Sequence, residues 1–233
     1  MDRYLPTGNE MVSLPKINEL TAGIEDFTFL SMQHKGMIEV RGSSNTPLIQ
    51  PFIRTGEAEL PLTDLQWSQD SYWIPALQAK VGSSRFGMTI LTPIGERGFA
   101  VKLSLTAGED ISLTWGLKGC WDGSFHCVNE DKELDGIPRC YRSGWNHSLI
   151  FDFRCGTPLF AFAPMCSQET DADFHEENGA IFYTLSRQEE IPAGEIRELI
   201  FYWGLGFEEV AAATSAKEML RRGWDWEYRR TVS

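Results

Sequence analysis

The stretch VKLSLT, residues 101–106, alternates apolar and polar side chains without a break. Successive side chains of a β-strand point to opposite faces of a sheet, so this pattern predicts a strand with one buried and one solvated face. The segments 111–115 (ISLTW) and 149–154 (LIFDFR) repeat it. We expect Lys102, Ser104 and Thr114 to face outward. The residues expected in the core are Val101, Leu103, Leu105, Ile111, Leu113, Trp115, Leu149, Phe151 and Phe153.

Strand-like segments continue on both sides of this stretch, and turns rich in glycine and proline separate them. About ten short strands with one-sided patterning predict antiparallel sheets that pack face to face. The further strands are expected at 28–33, 37–41, 72–80, 84–91, 159–163, 180–185 and 197–202.

The pattern becomes helical from Phe207 onward. Glu218 and Arg222 are spaced for an ion pair one turn apart, and Gly223 is expected to end or bend the helix. The sequence therefore predicts a β-domain over residues 1–205 and a helical segment over 206–233. This helix either packs on the β-domain or contacts a further domain or subunit. Its apolar stripe comprises Ala212, Ala216, Met219, Leu220 and Trp224.

Composition excludes several functional classes. The chain has 233 residues, a net charge of −12 and a pI near 4.8, which argues against binding to nucleic acid or to anionic lipid. No stretch approaches the length of about 18 apolar residues that a membrane span needs. The N-terminus carries no apolar signal segment, and the five cysteines are an odd number. We therefore expect a cytoplasmic protein with reduced thiols.

Four segments together resemble a known family. Residues 89–99 (TILTPIGERGF) resemble a strand–turn–strand of the N-terminal β-domains that precede (α/α)-barrel catalytic domains in glucoamylase-type and glycogen-debranching-type glycoside hydrolases. Residues 201–213 are similar to the last strand of such a domain and the linker helix that follows it. Residues 220–224 and 228–231 resemble the end of that helix and the start of the barrel. The resemblance implies an antiparallel β-supersandwich with a C-terminal helix, built like galactose-mutarotase domains.

The resemblance also implies a function. The catalytic carboxylates of those hydrolases lie in the barrel, so this chain is expected to be a non-catalytic domain that binds carbohydrate or braces a catalytic barrel. The expected partners are a carbohydrate or another small molecule, together with a catalytic domain or a second copy bound through the C-terminal helix. Two alternatives remain open at this stage. One is a stand-alone isomerase, lyase or cyclase that uses the sandwich groove, and the other is a protein-interaction subunit with a tryptophan-rich C-terminus.

Candidate site residues lie in two segments. The segment 67–73 (WSQDSYW) combines aromatic rings with an acid, as sugar sites do, although the simpler interpretation places Trp67 and Trp73 in the core of adjacent strands. The segment 118–145 shows no strand pattern and is rich in polar residues, and a long loop of this kind is often functional. The candidate ligand-binding residues are Trp67, Asp70, Trp73, Trp121 and Trp145, and the candidate catalytic residues are Asp70, Asp122, His126 and Glu130.

Metal chemistry is not indicated. Cys120 and Cys127 are too far apart for a zinc knuckle, and His126 directly precedes Cys127. The sequence also contains no glycine-rich phosphate loop and no nucleophile elbow. We therefore predict neither a metal nor a cofactor.

Overall fold

The computed structural model describes residues 3–31, 36–71, 73–144, 146–155 and 157–233. Within these ranges the chain forms antiparallel β-sheets and two C-terminal helices, α1 (Glu209–Arg222) and α2 (Trp224–Val232). The strands are β1 (Tyr4–Gly8), β2 (Val12–Asn18), β3 (Asp26–Ser31), β4 (Gly36–Arg41), β5 (Gln50–Thr55), β6 (Ala58–Glu59), β7 (Thr63–Asp70), β8 (Ile74–Val81), β9 (Ser84–Leu91), β10 (Gly98–Thr106), β11 (Ile111–Trp121), β12 (His126–Cys127), β13 (Lys132–Glu133), β14 (Ile137–Arg142), β15 (Leu149–Cys155), β16 (Thr157–Cys166), β17 (Asp171–Glu177), β18 (Ala180–Ile191) and β19 (Ile196–Gly206).

Three sheets in the described residues enclose one apolar core. An eight-stranded sheet has the order β14-β15-β16-β19-β10-β9-β8-β7, a six-stranded sheet the order β1-β2-β3-β4-β12-β13, and a five-stranded sheet the order β17-β18-β11-β5-β6. Aromatic rings from different sheets meet in the core. The Phe27 ring lies 5.6 Å from that of Phe162, and Tyr183 lies 5.8 Å from Trp203. The chain is therefore mainly β, with sheets packed face to face, as the sequence predicted.

The alternating segments form the expected core. The residues predicted to be buried are enclosed, except Ile111, which is half-buried. In contrast, Ile150 and Asp152 were expected on a solvated face, and the structure buries both. The reason is α1, which covers the outer face of the eight-stranded sheet. Ile150 lies there in an apolar cluster with alanines of α1 and of β16, so β15 is covered on both faces.

The C-terminal helices pack on the β-domain. Gly223 has a φ of 82° and separates α1 from α2, which confirms the predicted break. The predicted ion pair of Glu218 with Arg222 is wrong, because Glu218 pairs with Arg221 instead. Arg222 pairs with Glu227 of α2 instead. Glu227 is completely buried, and a buried carboxylate needs a charged partner. Neither helix is long and apolar enough to cross a lipid bilayer in the part of the chain that the structure describes.

The segment 118–145 contains strands that its sequence did not indicate. It holds the end of β11, the two-residue strands β12 and β13, and all of β14. These strands pair with distant partners, β12 with β4 and β14 with β15. Two-residue strands are too short to show an alternating pattern, and their pairing depends on contacts far away in the sequence.

Candidate functional site

A row of four polar side chains crosses the outer face of the five-stranded sheet. In the strand register, Asp173 of β17 lies opposite Thr184 of β18, Thr184 opposite Lys118 of β11, and Lys118 opposite Gln50 of β5. Neighbouring strands are about 4.8 Å apart, so the row extends over roughly 14 Å. The residues on either side of Lys118 and of Thr184 are buried, so the row faces away from the core. We call it the polar row.

Aromatic side chains border the polar row. The rings of His175 and Phe182 stack, with centroids 5.2 Å apart and planes 9° from parallel. His175 is exposed and pairs with Phe182 on the same face as Asp173 and Thr184, and the groove that these residues line encloses about 930 Å³ including space open to solvent. Asn45 and Thr46, from the loop between β4 and β5, complete the lining on one side. A groove that combines an exposed ring with several hydrogen-bonding groups matches the usual make-up of a polar small-molecule site.

The charges in the groove are largely compensated. Lys118 Nζ lies 2.6 Å from Glu59 Oε2, and Arg142 Nη2 lies 3.6 Å from Asp173 Oδ1. The hydroxyl of Tyr183 donates to the carbonyl of Leu48 at 2.6 Å, and complete burial raises its pKa well above the usual value. The tyrosine is therefore a fixed neutral group beneath the groove. Such an arrangement suits a neutral ligand rich in hydroxyl groups.

Of the residues predicted from the segment 67–73, Trp67 and Asp70 lie on β7 of the eight-stranded sheet, and Trp73 lies in the turn that follows it. Trp67 is half-buried, and its Nε1 donates to the carbonyl of Glu19 at 2.9 Å, which fastens β7 to the turn after β2. Asp70 accepts a hydrogen bond from the hydroxyl of Tyr228, so it anchors α2. The Trp73 side chain is 40% exposed. Of these three residues, only Trp73 offers a substantial exposed ring.

The residues predicted from the segment 118–145 divide between the core and a polar surface. Trp121 is completely buried, so its ring has no face open to a ligand. Asp122 accepts from Arg41 Nε at 2.7 Å, and His126 lies opposite Glu39 of the neighbouring strand β4. The structure therefore brings Asp122 and His126 together along β4. Glu130 is exposed on the turn after β12, and Trp145 lies outside the described residues.

The sequence interpretation missed the groove residues Gln50, Phe174, His175 and Thr184 as site candidates. One available signal was Asn178-Gly179, because an Asn-Gly pair between two strand-like segments predicts a tight hairpin. Both residues have positive φ, 53° and 81°, and they join β17 to β18. This hairpin sets Asp173 against Thr184 and His175 against Phe182. No group of three or more His, Cys, Asp or Glu residues is arranged for a metal in the ranges that the structure covers.

Comparisons with solved structures identify the class of fold. The chain is similar to a bacterial glucoamylase bound to acarbose, with a TM-score of 0.61 and 11% identity over 98% of this chain and 36% of the glucoamylase. It is similar to an aldose epimerase homologue from C. elegans, with a TM-score of 0.55 and 6% identity over 88% of this chain and 99% of that one. A polysaccharide lyase gives a TM-score of 0.57 and 11% identity over 91% of this chain and 35% of the lyase.

These similarities confirm the expected fold, the β-supersandwich shared by glucoamylase-type N-terminal domains and galactose-mutarotase-like proteins. The chain spans about a third of the length of the glucoamylase and of the lyase. No protein-family model matches the sequence. No curated protein matches it significantly.

Proposed function

We propose that this chain is the carbohydrate-binding, non-catalytic supersandwich domain of a glycoside-hydrolase-like protein, and that the groove along the polar row binds the sugar. The observation that carries the proposal is the polar row of Asp173, Thr184, Lys118 and Gln50 beside the exposed ring of His175, which stacks on Phe182. Sugar hydroxyls require donors and acceptors at close spacing, and the apolar face of a sugar ring stacks on an aromatic side chain.

The make-up of the groove supports binding over hydrolysis. Glycoside hydrolysis needs two carboxylates across a cleft, about 5–5.5 Å apart for retention or 6.5–9.5 Å for inversion. Among the described groove residues, Asp173 is the one carboxylate, and it faces Arg142. A saccharide in this groove would find hydrogen-bonding partners and a stacking surface, and the acid that borders the groove, Glu59, is paired with Lys118.

A second role, bracing a catalytic domain, is favoured by the C-terminal helices. α1 lies on the outer face of the eight-stranded sheet, and Glu96 in the turn between β9 and β10 contacts both Arg222 at the end of α1 and Arg230 of α2. Helices held in this way would present a rigid surface to a neighbouring domain. The two roles are compatible, because the groove and the helices lie on different sheets.

The test is a titration of the chain with maltooligosaccharides and simple glycosides, followed by amide NMR shifts and calorimetry. We expect shifts in β5, β11, β17 and β18. His175→Ala and Lys118→Met should each weaken binding about tenfold, which corresponds to about 1.4 kcal/mol. Ile137→Ala is the matched control, because Ile137 is a 67% exposed apolar residue on β14, outside the groove lining. Binding that His175→Ala and Lys118→Met leave unchanged would contradict the proposed site.

A further inference from the structure

The outer face of the six-stranded sheet carries a compact cluster of charged side chains. Asp26 of β3, Glu39 and Arg41 of β4, and His126 of β12 alternate with buried core residues on their strands. Lys16 of β2 contacts the carboxylates of both Asp26 and Glu39. This cluster is separate from the groove on the five-stranded sheet.

Asp26 has an unusual environment for an acid. Its side chain is 1% exposed, and Oδ2 accepts a hydrogen bond from Lys16 Nζ. No donor among the described residues reaches Oδ1, which is completely buried. The carboxylate of Glu39 lies close to that of Asp26, because Lys16 Nζ contacts Asp26 Oδ2 and lies 3.3 Å from Glu39 Oε1.

Two ionised carboxylates cannot hydrogen-bond to each other, because each offers only acceptors. A proton on one of them supplies the missing donor and removes the repulsion between two like charges. We propose that Asp26 and Glu39 share one proton, and that this pair acts as a pH-sensitive switch for the stability of the six-stranded sheet. Because Asp26 is enclosed, the proton affects the protein through folding stability and not through contact with a substrate.

The direction of the pKa shifts agrees with this assignment. Burial raises the pKa of Asp26 to about 6, and the hydrogen bond with Glu39 acts in the same direction, whereas Lys16 opposes it. Burial would also raise the pKa of Glu39, but the hydrogen bond with Asp26 and the charges of Lys16 and Arg41 outweigh it and lower that pKa. The proton therefore resides on Asp26, and Glu39 is the anion that accepts the hydrogen bond.

Charged groups from the other elements surround the pair. Lys16 and Arg41 supply positive charge, and Arg41 is shared with Asp122 at 2.7 Å and Glu133 at 2.6 Å. His126 Nε2 lies 3.3 Å from Asp131 Oδ1. Acids outnumber bases in this cluster, so ionisation of Asp26 adds negative charge where it is already in excess. The groups that face the pair are Lys16 on β2, Arg41 on β4 and His126 on β12, with Asp122, Asp131 and Glu133 beyond them.

The sign of the pH dependence follows from linkage. The pKa of Asp26 is higher in the folded chain than the value of about 3.9 expected after unfolding, so the native state binds more protons between about pH 4 and pH 6. Stability from this group is therefore present at low pH and declines as pH rises through about 6. The lowered pKa of Glu39 acts in the opposite direction, but at lower pH.

The experiment compares urea unfolding of the wild type and Asp26→Asn from about pH 4.5 to pH 8. Asparagine can accept from Lys16 and donate to Glu39, so it imitates the protonated acid at every pH. We expect the urea midpoint of Asp26→Asn to rise relative to wild type as pH increases, and the difference to level off above about pH 7. Asp64→Asn is the control, because Asp64 is an exposed acid paired with Lys80 at 2.8 Å, and its difference should stay constant.

A direct measurement keeps the proposal testable if Asp26→Asn does not fold. Carboxyl-carbon NMR of the wild-type chain should show one aspartate that titrates near pH 6, and Glu39→Gln should move this titration to lower pH, because an amide donor then replaces the shared proton. The proposal is overturned if no aspartate of the wild type titrates above about pH 5. It is equally overturned if the midpoint difference for Asp26→Asn does not change with pH.

Discussion

Gly204 of β19 lies so close to α1 that a Cβ at this position would overlap the carbonyl oxygen of Ala212. Ala212 is itself completely buried against the sheet. The helix therefore approaches the sheet at backbone distance, and only a residue without a side chain fits beneath it. This contact fixes how α1 sits on the outer face of the eight-stranded sheet.

Substitution of Gly204 should release α1. We expect Gly204→Val to destabilise the chain by about 3 kcal/mol, because overpacking at a close backbone contact forces the helix to move. Urea unfolding measures the loss. Gly144→Ala is the control, because a Cβ there meets no atom within 4 Å, and its effect should stay within about 0.5 kcal/mol. A Gly204→Val chain of wild-type stability would show that α1 is not seated as described.

Glu227 should be the critical side chain of α2. It is completely buried and lies 2.6 Å from Arg222 Nε and 2.9 Å from Arg230 Nη2. We expect Glu227→Ala to cost about 3 kcal/mol, because removing one member of a buried ion pair leaves the other charges uncompensated. Trypsin should then cleave within 222–230 much faster than in wild type.

The matched control for Glu227 is Glu218→Ala. Glu218 pairs with Arg221 at 2.8 Å on the exposed side of α1. Exposed pairs of this kind contribute about 0.2–1 kcal/mol, so stability and cleavage should remain close to wild type. Equal effects of the two substitutions would mean that the burial of Glu227 has no energetic importance.

The cysteines should be free and slow to react. Cys120, Cys127, Cys140 and Cys166 form no disulfide, and the side chain of Cys155 is outside the described part. Burial raises the pKa of the Cys140 thiol to about 12, and it also raises the pKa of Cys120 and of Cys166. The thiolate is the reactive form, so these groups should react slowly with a thiol reagent near pH 8 and quickly after denaturation. A denatured, unreduced chain should show five thiols, and a count of three or fewer would reveal a disulfide.

The chain alone should not hydrolyse α-glucosides. Asp122 is held by Arg41 and by the backbone and hydroxyl of Ser124, and Glu130 is exposed on a turn. We expect no turnover of p-nitrophenyl glycosides or α-glucans by the purified chain. Turnover that disappears in Asp122→Asn or Glu130→Gln would place a catalytic site beside β12 and contradict the non-catalytic proposal. Turnover that both variants retain would indicate a contaminant or a different groove.

Local sequence patterns predicted well which residues of the strands enter the core, but poorly which residues are exposed to solvent. Alternation in 101–106 and 149–154 fixed which residues enter the core, because one face of each strand packs against another sheet. The same alternation was wrong for Asp152, since it could not show that α1 covers the other face. Asp152 accepts a bidentate pair of hydrogen bonds from Arg139, at 3.1 and 2.7 Å, which compensates its buried charge.

Sequence patterns could not predict the groove, for a different reason. Gln50, Lys118 and Thr184 become neighbours only through the register of β11 with β5 and with β18. Each residue alone is an ordinary polar residue of a half-exposed strand. The tryptophans were predicted as site residues because aromatic rings near acids can stack on sugars, but Trp121 lies in the core, where large aromatic side chains contribute the most buried area.

Strand β17 forms one edge of the five-stranded sheet in the described structure, and its sequence DADFHEE carries four carboxylates. An uncovered edge is a template for a strand from another molecule, and charged side chains discourage such pairing. Two copies that met edge to edge would bring like charges together. We therefore expect the strand that borders the groove to limit edge-to-edge association at high concentration. Replacing its acids with neutral residues, for example to alter ligand preference, should then promote fibrous self-association.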